Sequence, residues 1–290
     1  MRIAIATCRE YPALNASDAL YAAALETLGC TVSVLGWNTA ALADFAAHDG
    51  IVVRATWDYP DDMPGFDAWL RALETLGPAV FNAPALMRWN DDKRCLIDLG
   101  AKGVAIPKTV PLDGGLTLHE ALEQVGGDRA VLKPSWGGSG VGVVLVGEAD
   151  AAATLARLQA ENGRDYMVQE FLPEIAEGEL SFVFIAGSYA HTVLKLPAEG
   201  EFRVNTQYQP PPPVPHAPSR QLLADATRVL EAAGAPTLYA RVDGIARFGR
   251  LICTELEVTE PNLYMDTVPE TAVLMAQATV AAVRGERVPA

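Results

Sequence analysis

The sequence predicts an α/β (α+β) fold in three lobes: a doubly wound, parallel N-terminal lobe, a small β-rich central lobe and a C-terminal lobe of paired strands and helices. Three observations predict it. Over residues 1–85, short apolar runs alternate with amphipathic ones, the rhythm of a parallel sheet with right-handed crossovers. From residue 129 strand-like segments crowd together. Two pairs of apolar runs, 181–186 with 189–195 and 238–246 with 250–258, are each separated by two or three residues, as in hairpins. The expected boundaries are 1–85, 86–128 (connecting helices), 129–172 and 173–290.

In order, residues 2–7 form an almost wholly apolar strand, as expected of one buried on both faces. Ser17 and Asp18 supply the cap of a helix that runs to Leu28 and stops at Gly29. Strands follow at 31–35 and 50–54, then an amphipathic helix over 66–76 ended by Gly77-Pro78, and a short strand at 80–82. Residues 86–99 read as one helix closing at Gly100, 107–110 as a strand and 116–125 as a helix. Strands are expected at 130–134, 141–146 and 166–171, with a helix over 151–160. The run Pro210–Pro213 with Pro215 and Pro218 is polyproline-like rather than helical. Residues 219–233 and 268–283 complete the helices.

Composition excludes several roles. Half of the 290 residues are hydrophobic, enough for a large core, and the net charge is −14. So acidic a surface repels nucleic acid and anionic membranes alike. No apolar stretch approaches the ~20 residues of a membrane span, and the N-terminal run is too short for a signal peptide; a cytoplasmic protein is the expectation. The four cysteines, Cys8, Cys30, Cys95 and Cys253, are far apart and form no zinc or redox motif. Cys8, at the end of the first strand, reads as a buried small hydrophobe. That strand ends at Thr7-Cys8 without a Gly-rich turn, against a dinucleotide-binding oxidoreductase.

Three constellations carry chemistry. In Lys133-Pro134-Ser135-Trp136-Gly137-Gly138-Ser139-Gly140-Val141-Gly142, a strand ends in Lys and a Gly-dense loop follows. Such a backbone can approach a phosphate closely and cradle it with amide N–H groups, though the spacing is neither a P-loop nor a dinucleotide fingerprint, and a flexible hairpin turn is the plainer alternative. Asp243 lies on one expected strand and Glu255 and Glu257 on the next. Residues i and i+2 share a face, so pairing would gather three carboxylates that repel unless a hard cation such as Mg²⁺ sits between them. Gln169-Glu170-Phe171-Leu172, with Glu179 beyond, is a strand end that could pair with an adenine edge and accept ribose hydroxyls; by itself it reads more readily as an ordinary strand end. Lys and Arg number only 22, and Lys93, Lys133, Lys195, Arg203 and Arg241 fall near these motifs.

In this order the residues resemble the ATP-grasp superfamily over about 85–265: Lys93 in Trp89-Asn90-Asp91-Asp92-Lys93, Lys133-Pro134, the Gly loop, Gln169–Leu172, Glu179, Arg203, Asp243 and Thr254-Glu255-Leu256-Glu257. The stretch 169–179 is similar to the hinge and ribose-binding segment of bacterial glutathione synthetases, and 255–261 to their metal-binding strand, where Asn is usual in place of Glu257. Arg54-Ala55-Thr56-Trp57-Asp58-Tyr59, with Phe66 and Trp69, resembles a subgroup whose characterised member is the cyclo-ligase that closes O-ureido-D-serine to D-cycloserine. Tyr208-Gln209 and the proline run depart from a Gly-Gly segment found in relatives after the Arg203 motif.

The resemblance implies a pre-ATP-grasp substrate lobe, a central lid lobe and a C-terminal ATP-grasp lobe. It implies ATP, Mg²⁺ (with Mn²⁺ able to substitute) and a small-molecule carboxylate that is activated as an acyl phosphate for attack by nitrogen. Asp243, Glu255 and Glu257 would be metal ligands. Lys93, Lys133, Ser139, Gly140, Gln169, Glu170, Phe171, Leu172 and Glu179 would bind nucleotide. Arg203, Lys195 and Arg241 would be catalytic, and Arg54, Trp57, Asp58 and Tyr59 substrate-binding, Trp57 and Tyr59 being equally readable as lobe-interface packing. No nucleic acid or membrane partner is expected, and a homo-oligomer is compatible with the sequence. An intermolecular amino-acid or dipeptide ligase and a non-catalytic nucleotide-binding module are the alternatives.

Overall fold

A computed structural model describes residues 1–113 and 115–286. The N-terminal sheet is wholly parallel, ordered β2-β1-β3-β4, from β1 (Arg2–Thr7), β2 (Thr31–Gly36), β3 (Gly50–Val53) and β4 (Ala79–Phe81). Its pleat divides the core. Ile3, Ile5 and Val52 face α1 (Ala16–Thr27), while Ala4, Ala6, Ile51 and Val53 pack with Phe45 of α2 (Leu42–Ala46) and Phe66, Trp69, Leu70 and Leu73 of α3 (Met63–Leu73). That i, i+3, i+4, i+7 spacing is the buried stripe of an amphipathic helix. Two expected helix limits are corrected. The cap of α1 is Asn15, whose side chain accepts from Asp18 N, while Ser17 and Asp18 are buried in the first turn and face tertiary partners. Helix α3 starts at the Asp62 cap with Pro64 in its first turn, and ends at Leu73.

The expected single helix over 86–99 is two: α4 (Pro84–Asn90) and α5 (Cys95–Ala101). The break has a tertiary cause. Asn90 Nδ2 donates to Leu256 O at 2.7 Å and its Oδ1 accepts from Val258 N at 2.8 Å, while Lys93 N donates to Ser135 O at 2.6 Å. These bonds draw residues 91–94 out of the helical path.

The central sheet, ordered β5-β8-β6-β7, is antiparallel: β5 (Thr109–Pro111), β6 (Ala130–Pro134), β7 (Val144–Val146) and β8 (Tyr166–Glu170). Helices α6 (Leu118–Val125) and α7 (Glu148–Asn162) cover it, and a Thr117/Glu120 capping box starts α6. Residues 141–143 are not in the expected strand; Gly140 and Gly142, at φ 71° and 76°, take the chain through left-handed turns that a strand cannot contain.

The C-terminal sheet is ordered β11-β10-β9-β12-β13, from β9 (Glu179–Ile185), β10 (Ser188–Lys195), β11 (Val214–Pro215), β12 (Tyr239–Arg247) and β13 (Arg250–Glu257). Helix α8 (Arg220–Ala233) packs on one face. Helix α9 (Glu270–Val283) leaves this sheet to lie against α1 and the Ile3/Ile5 face of the N-terminal sheet, where Thr279 Oγ1 and Tyr21 Oη are 2.8 Å apart.

Candidate active site

The β12–β13 hairpin builds the centre. Arg241 lies opposite Glu257 and Asp243 opposite Glu255; the register then slips so that Gly244 faces Cys253, leaving Thr254 as the extra residue of a bulge. Glycine is needed at 244: a Cβ there would lie 2.7 Å from Ile252 O and from the Leu251 side chain. The bulge turns Thr254 into the cleft, where its Oγ1 donates to Glu179 Oε1 at 2.8 Å and its carbonyl accepts from Lys133 Nζ at 3.3 Å. Carboxylate oxygens of Asp243, Glu255 and Glu257 lie within 4.8 Å of one another.

Cations from the connecting helices, the central lobe and the C-terminal lobe converge on these acids. Lys93, on the break between α4 and α5, pairs with Glu255. Arg241 Nη2 is 2.8 Å from Asp243 Oδ2 and 2.5 Å from Glu257 Oε1. Lys195 Nζ is 2.6 Å from Glu179 Oε2 and 3.6 Å from Asp243 Oδ1, and Ser181 Oγ donates to Asp243 Oδ1 at 2.5 Å. Burial works against ionisation of Asp243, Glu255 and Glu257, and the outcome depends on the cations. At Glu255 burial is overridden by Lys93 and Lys133, which hold the carboxyl well below its usual range. At Asp243 it is overridden by Arg241 and Lys195. At Glu257 burial, reinforced by Glu255 and Asp243, outweighs Arg241 and pushes the carboxyl up to about 7. Asp91 is raised to about 7 by burial despite a 2.9 Å hydrogen bond from Thr259 Oγ1. Glu260 is raised well above 4.5 by burial and by Glu257 and Asp91.

All of this opens into one cleft of about 1120 Å³ between the lobes. It brings together Lys93, Lys133, Ser139, Gly140, Gln169, Glu170, Phe171, Leu172, Glu179, Lys195, Arg203, Arg241, Asp243, Glu255, Glu257, Trp57, Asp58 and Tyr59. Gln169 is buried and donates to Thr109 Oγ1 at 2.9 Å. The Glu170 carboxylate is taken by Arg247 at 2.8 Å, so only its backbone is offered to a ligand. Phe171 sits edge-on to Phe202 at 6.2 Å. Asp58 accepts from Trp37 Nε1 and Asn38 Nδ2, both at 2.7 Å. Trp57 Nε1 donates to Glu260 O at 3.1 Å. Tyr59 is buried and stacked on Phe66 with centroids 4.8 Å apart, so much of its ring serves packing.

Arg54 is the exception and a correction. It is 1% exposed and is absent from the cleft wall. Its Nε pairs with Asp18 Oδ1 at 2.8 Å, its Nη2 donates to Pro261 O at 2.5 Å, and it lies over the Tyr239 ring at 4.8 Å. A buried ion pair draws Arg54 inward, where it braces the loop carrying Glu260 and Asn262. The cleft also contains residues to which the sequence assigned no role: Asp91, Arg164, Asn262 and Tyr264. They sit on turns and loops with no periodicity to mark them, although Asp91 stands two residues before Lys93.

Residues 3–82 match the family described as D-cycloserine synthetase DcsG, N-terminal domain, and residues 105–215 match the prokaryotic glutathione synthetase ATP-grasp domain. The cycloserine biosynthesis protein DcsG of Streptomyces lavendulae is 27% identical over 278 residues, covering 88% of this chain and 90% of that one. A glutathione synthetase of Synechocystis sp. is 34% identical over 138 residues, 46% of this chain and 42% of its own length; that match spans less than half of the relative. A crystal structure of D-cycloserine synthetase DcsG superimposes with a TM-score of 0.86 at 22% identity, over 98% of this chain and 100% of that one.

Proposed function

We propose, from the premise that the chain belongs to the ATP-grasp superfamily, that it is an ATP-dependent ligase that joins a small-molecule carboxylate to nitrogen. Its most specific form is the intramolecular closure of O-ureido-D-serine to D-cycloserine. The observation that carries the reading is the meeting of Asp243, Glu255 and Glu257 with Lys93, Lys133, Lys195 and Arg241 in a single cleft.

The donor set fits Mg²⁺: three carboxylates offer only hard oxygen, on adjacent strands, within 4.8 Å of one another. When bound, the metal would neutralise phosphate charge during phosphoryl transfer. The chain's own groups do the rest. Lys93 and Lys133 hold the anionic phosphates, Lys93 exchanging its Glu255 partner for them. The backbone of 170–172 meets the adenine edge and Glu179 the ribose. The loop 135–142 excludes water, which would otherwise hydrolyse the acyl phosphate. Arg203 stabilises the acyl phosphate and the tetrahedral species that follows, a role of about 3–4 kcal/mol per donor in comparable sites. Trp57 and Asp58 hold the substrate, and an intramolecular nucleophile needs only the right conformer. Asp58 is suited to an ammonium because only neutral donors partner it.

A screen of carboxylates with and without amines, read as ADP formation and including O-ureidoserine of both hands, tests the proposal. ADP and phosphate release with O-ureido-D-serine alone supports cyclisation. Turnover only with a second amine supports an intermolecular amino-acid ligase, a reading favoured by the 34% identity to glutathione synthetase. No ATP turnover with any pair would sink the ligase reading.

A further inference from the structure

We propose that Tyr208 is a positioning residue that couples closure of the Gly-rich loop to the setting of Arg203; the inference rests on the ligase reading above. Tyr208 ends a short 3₁₀ turn, Thr206–Tyr208. Its hydroxyl donates to Gly140 O at 3.0 Å, and its ring lies 3.7 Å from the Arg203 guanidinium carbon. Arg203 Nη1 donates to Val143 O at 3.0 Å. The two side chains therefore hold the loop at two points three residues apart while stacked on each other. The contact is close: a Cβ on Gly140 would lie 2.6 Å from Asn205 Oδ1 and 3.2 Å from Tyr208 Cε2.

The hydrogen bonds of Arg203 explain why this matters. A guanidinium has five N–H donors. Glu201 takes two, at 3.0 and 2.6 Å, and Val143 O takes one, which leaves two for a ligand in the cleft that Arg203 lines. With Tyr208 covering one face and Glu201 one edge, the plane of the guanidinium is fixed. Opening the loop breaks the bonds to Gly140 and Val143 together and removes the constraint. The group that stabilises the acyl phosphate is thus set only while water is shut out. The run Pro210–Pro213 immediately downstream stiffens the segment that carries Tyr208.

The test uses the whole chain, Mg·AMP-PNP as probe, and hydrogen exchange of the amides of residues 136–143, together with steady-state kinetics on the best substrate from the screen. Tyr208→Phe keeps the ring over Arg203 and loses the bond to Gly140. It is expected to reduce the nucleotide-induced protection of the loop by about 2- to 12-fold, the worth of one neutral hydrogen bond, and to raise the KM for ATP by a similar factor, with kcat within about threefold of wild type. Tyr208→Ala loses the stacking as well; kcat falls further, and more ADP forms per product because acyl phosphate escapes to water. Wild-type protection in Tyr208→Phe, or unchanged kcat and coupling in a folded Tyr208→Ala, overturns the inference alone. Absence of protection by Mg·AMP-PNP in the wild type overturns the ligase reading and this inference with it. The phenylalanine variant decides the matter even if the alanine variant does not fold.

Discussion

Glu257→Gln should make the metal-free protein more stable and the enzyme inactive, two effects of opposite sign from one atom exchange. Glu257 faces Glu255 and Asp243 within 4.8 Å, and burial with these neighbours raises its carboxyl from the ordinary 4.5 to about 7. At pH above 7 the native state carries that charge at a cost of about 3 kcal/mol relative to the unfolded chain. The side chain is 27% exposed, so about 1–2 kcal/mol is the recoverable part. Glutamine keeps an acceptor for Arg241 and removes the repulsion. For a chain of this size the gain raises Tm by roughly 2–6 °C. The size of the gain depends on pH: below 4.5 the carboxyl is neutral in both states and the gain vanishes; it grows from 4.5 to about 7 and is complete above. Turnover should fall at least ~100-fold, since even outer-sphere partners of a metal are worth about 10–100-fold. Thermal melts in EDTA at pH 4.5, 6 and 8, beside ADP assays with Mg²⁺, measure both. A lowered Tm at pH 8, or turnover within threefold of wild type, would refute the reasoning.

Three further outcomes are expected. His191 is buried with Nδ1 2.7 Å from Thr271 Oγ1, and burial depresses it to about 4. The native state thus favours neutral imidazole, and its contribution is whole above pH 6.5 and lost as pH falls through about 4, some 3 kcal/mol across that window; urea denaturation at pH 7.5, 5.5 and 4.5 should show a flatter profile in His191→Gln. Arg54→Met strands Asp18 as an unpaired buried charge and should cost about 3–5 kcal/mol, partly restored in Arg54→Met/Asp18→Asn; equal melting of the single and double variants would contradict the pairing. Gly244→Ala forces a Cβ against Ile252 O and should cost about 1–3 kcal/mol while displacing Asp243, seen as a weakened stabilisation by Mg·ADP in melting curves.

The triad of acids was legible because it lies on strands. Val242, Leu256 and Val258 mark β12 and β13 as packed, and period-2 geometry then puts Glu255 and Glu257 on one face; antiparallel pairing does place Asp243 opposite Glu255. What escaped the sequence depends on distant contacts. Within Asp91–Arg94 the Asp92 side chain accepts from Arg94 N, and Leu256, Val258 and Ser135, far along the chain, pull Lys93 out of line. Arg54 reads as a substrate contact until Asp18 and Pro261 are seen to enclose it. Asn15, Ser17 and Asp18 are all residue types that cap well, and only the burial of Ser17 and Asp18 tells them apart. Glycines already present at 140 and 142 argued for a turn, yet the apolar Val141 and Val143 suggested a strand.

Helix α9 sets which piece of the molecule can travel. By crossing from the C-terminal sheet to the Ile3/Ile5 face, it stitches the first and last thirds of the chain through a shared core containing Tyr21, Leu25, Val183, Tyr239 and Met275, and the Arg54–Pro261 bond adds a second stitch. The β5-β8-β6-β7 sheet has its own separate core. Rearrangement during a catalytic cycle should therefore be a swing of this one module against an otherwise stationary body that already contains both the triad of acids and Trp57 and Asp58.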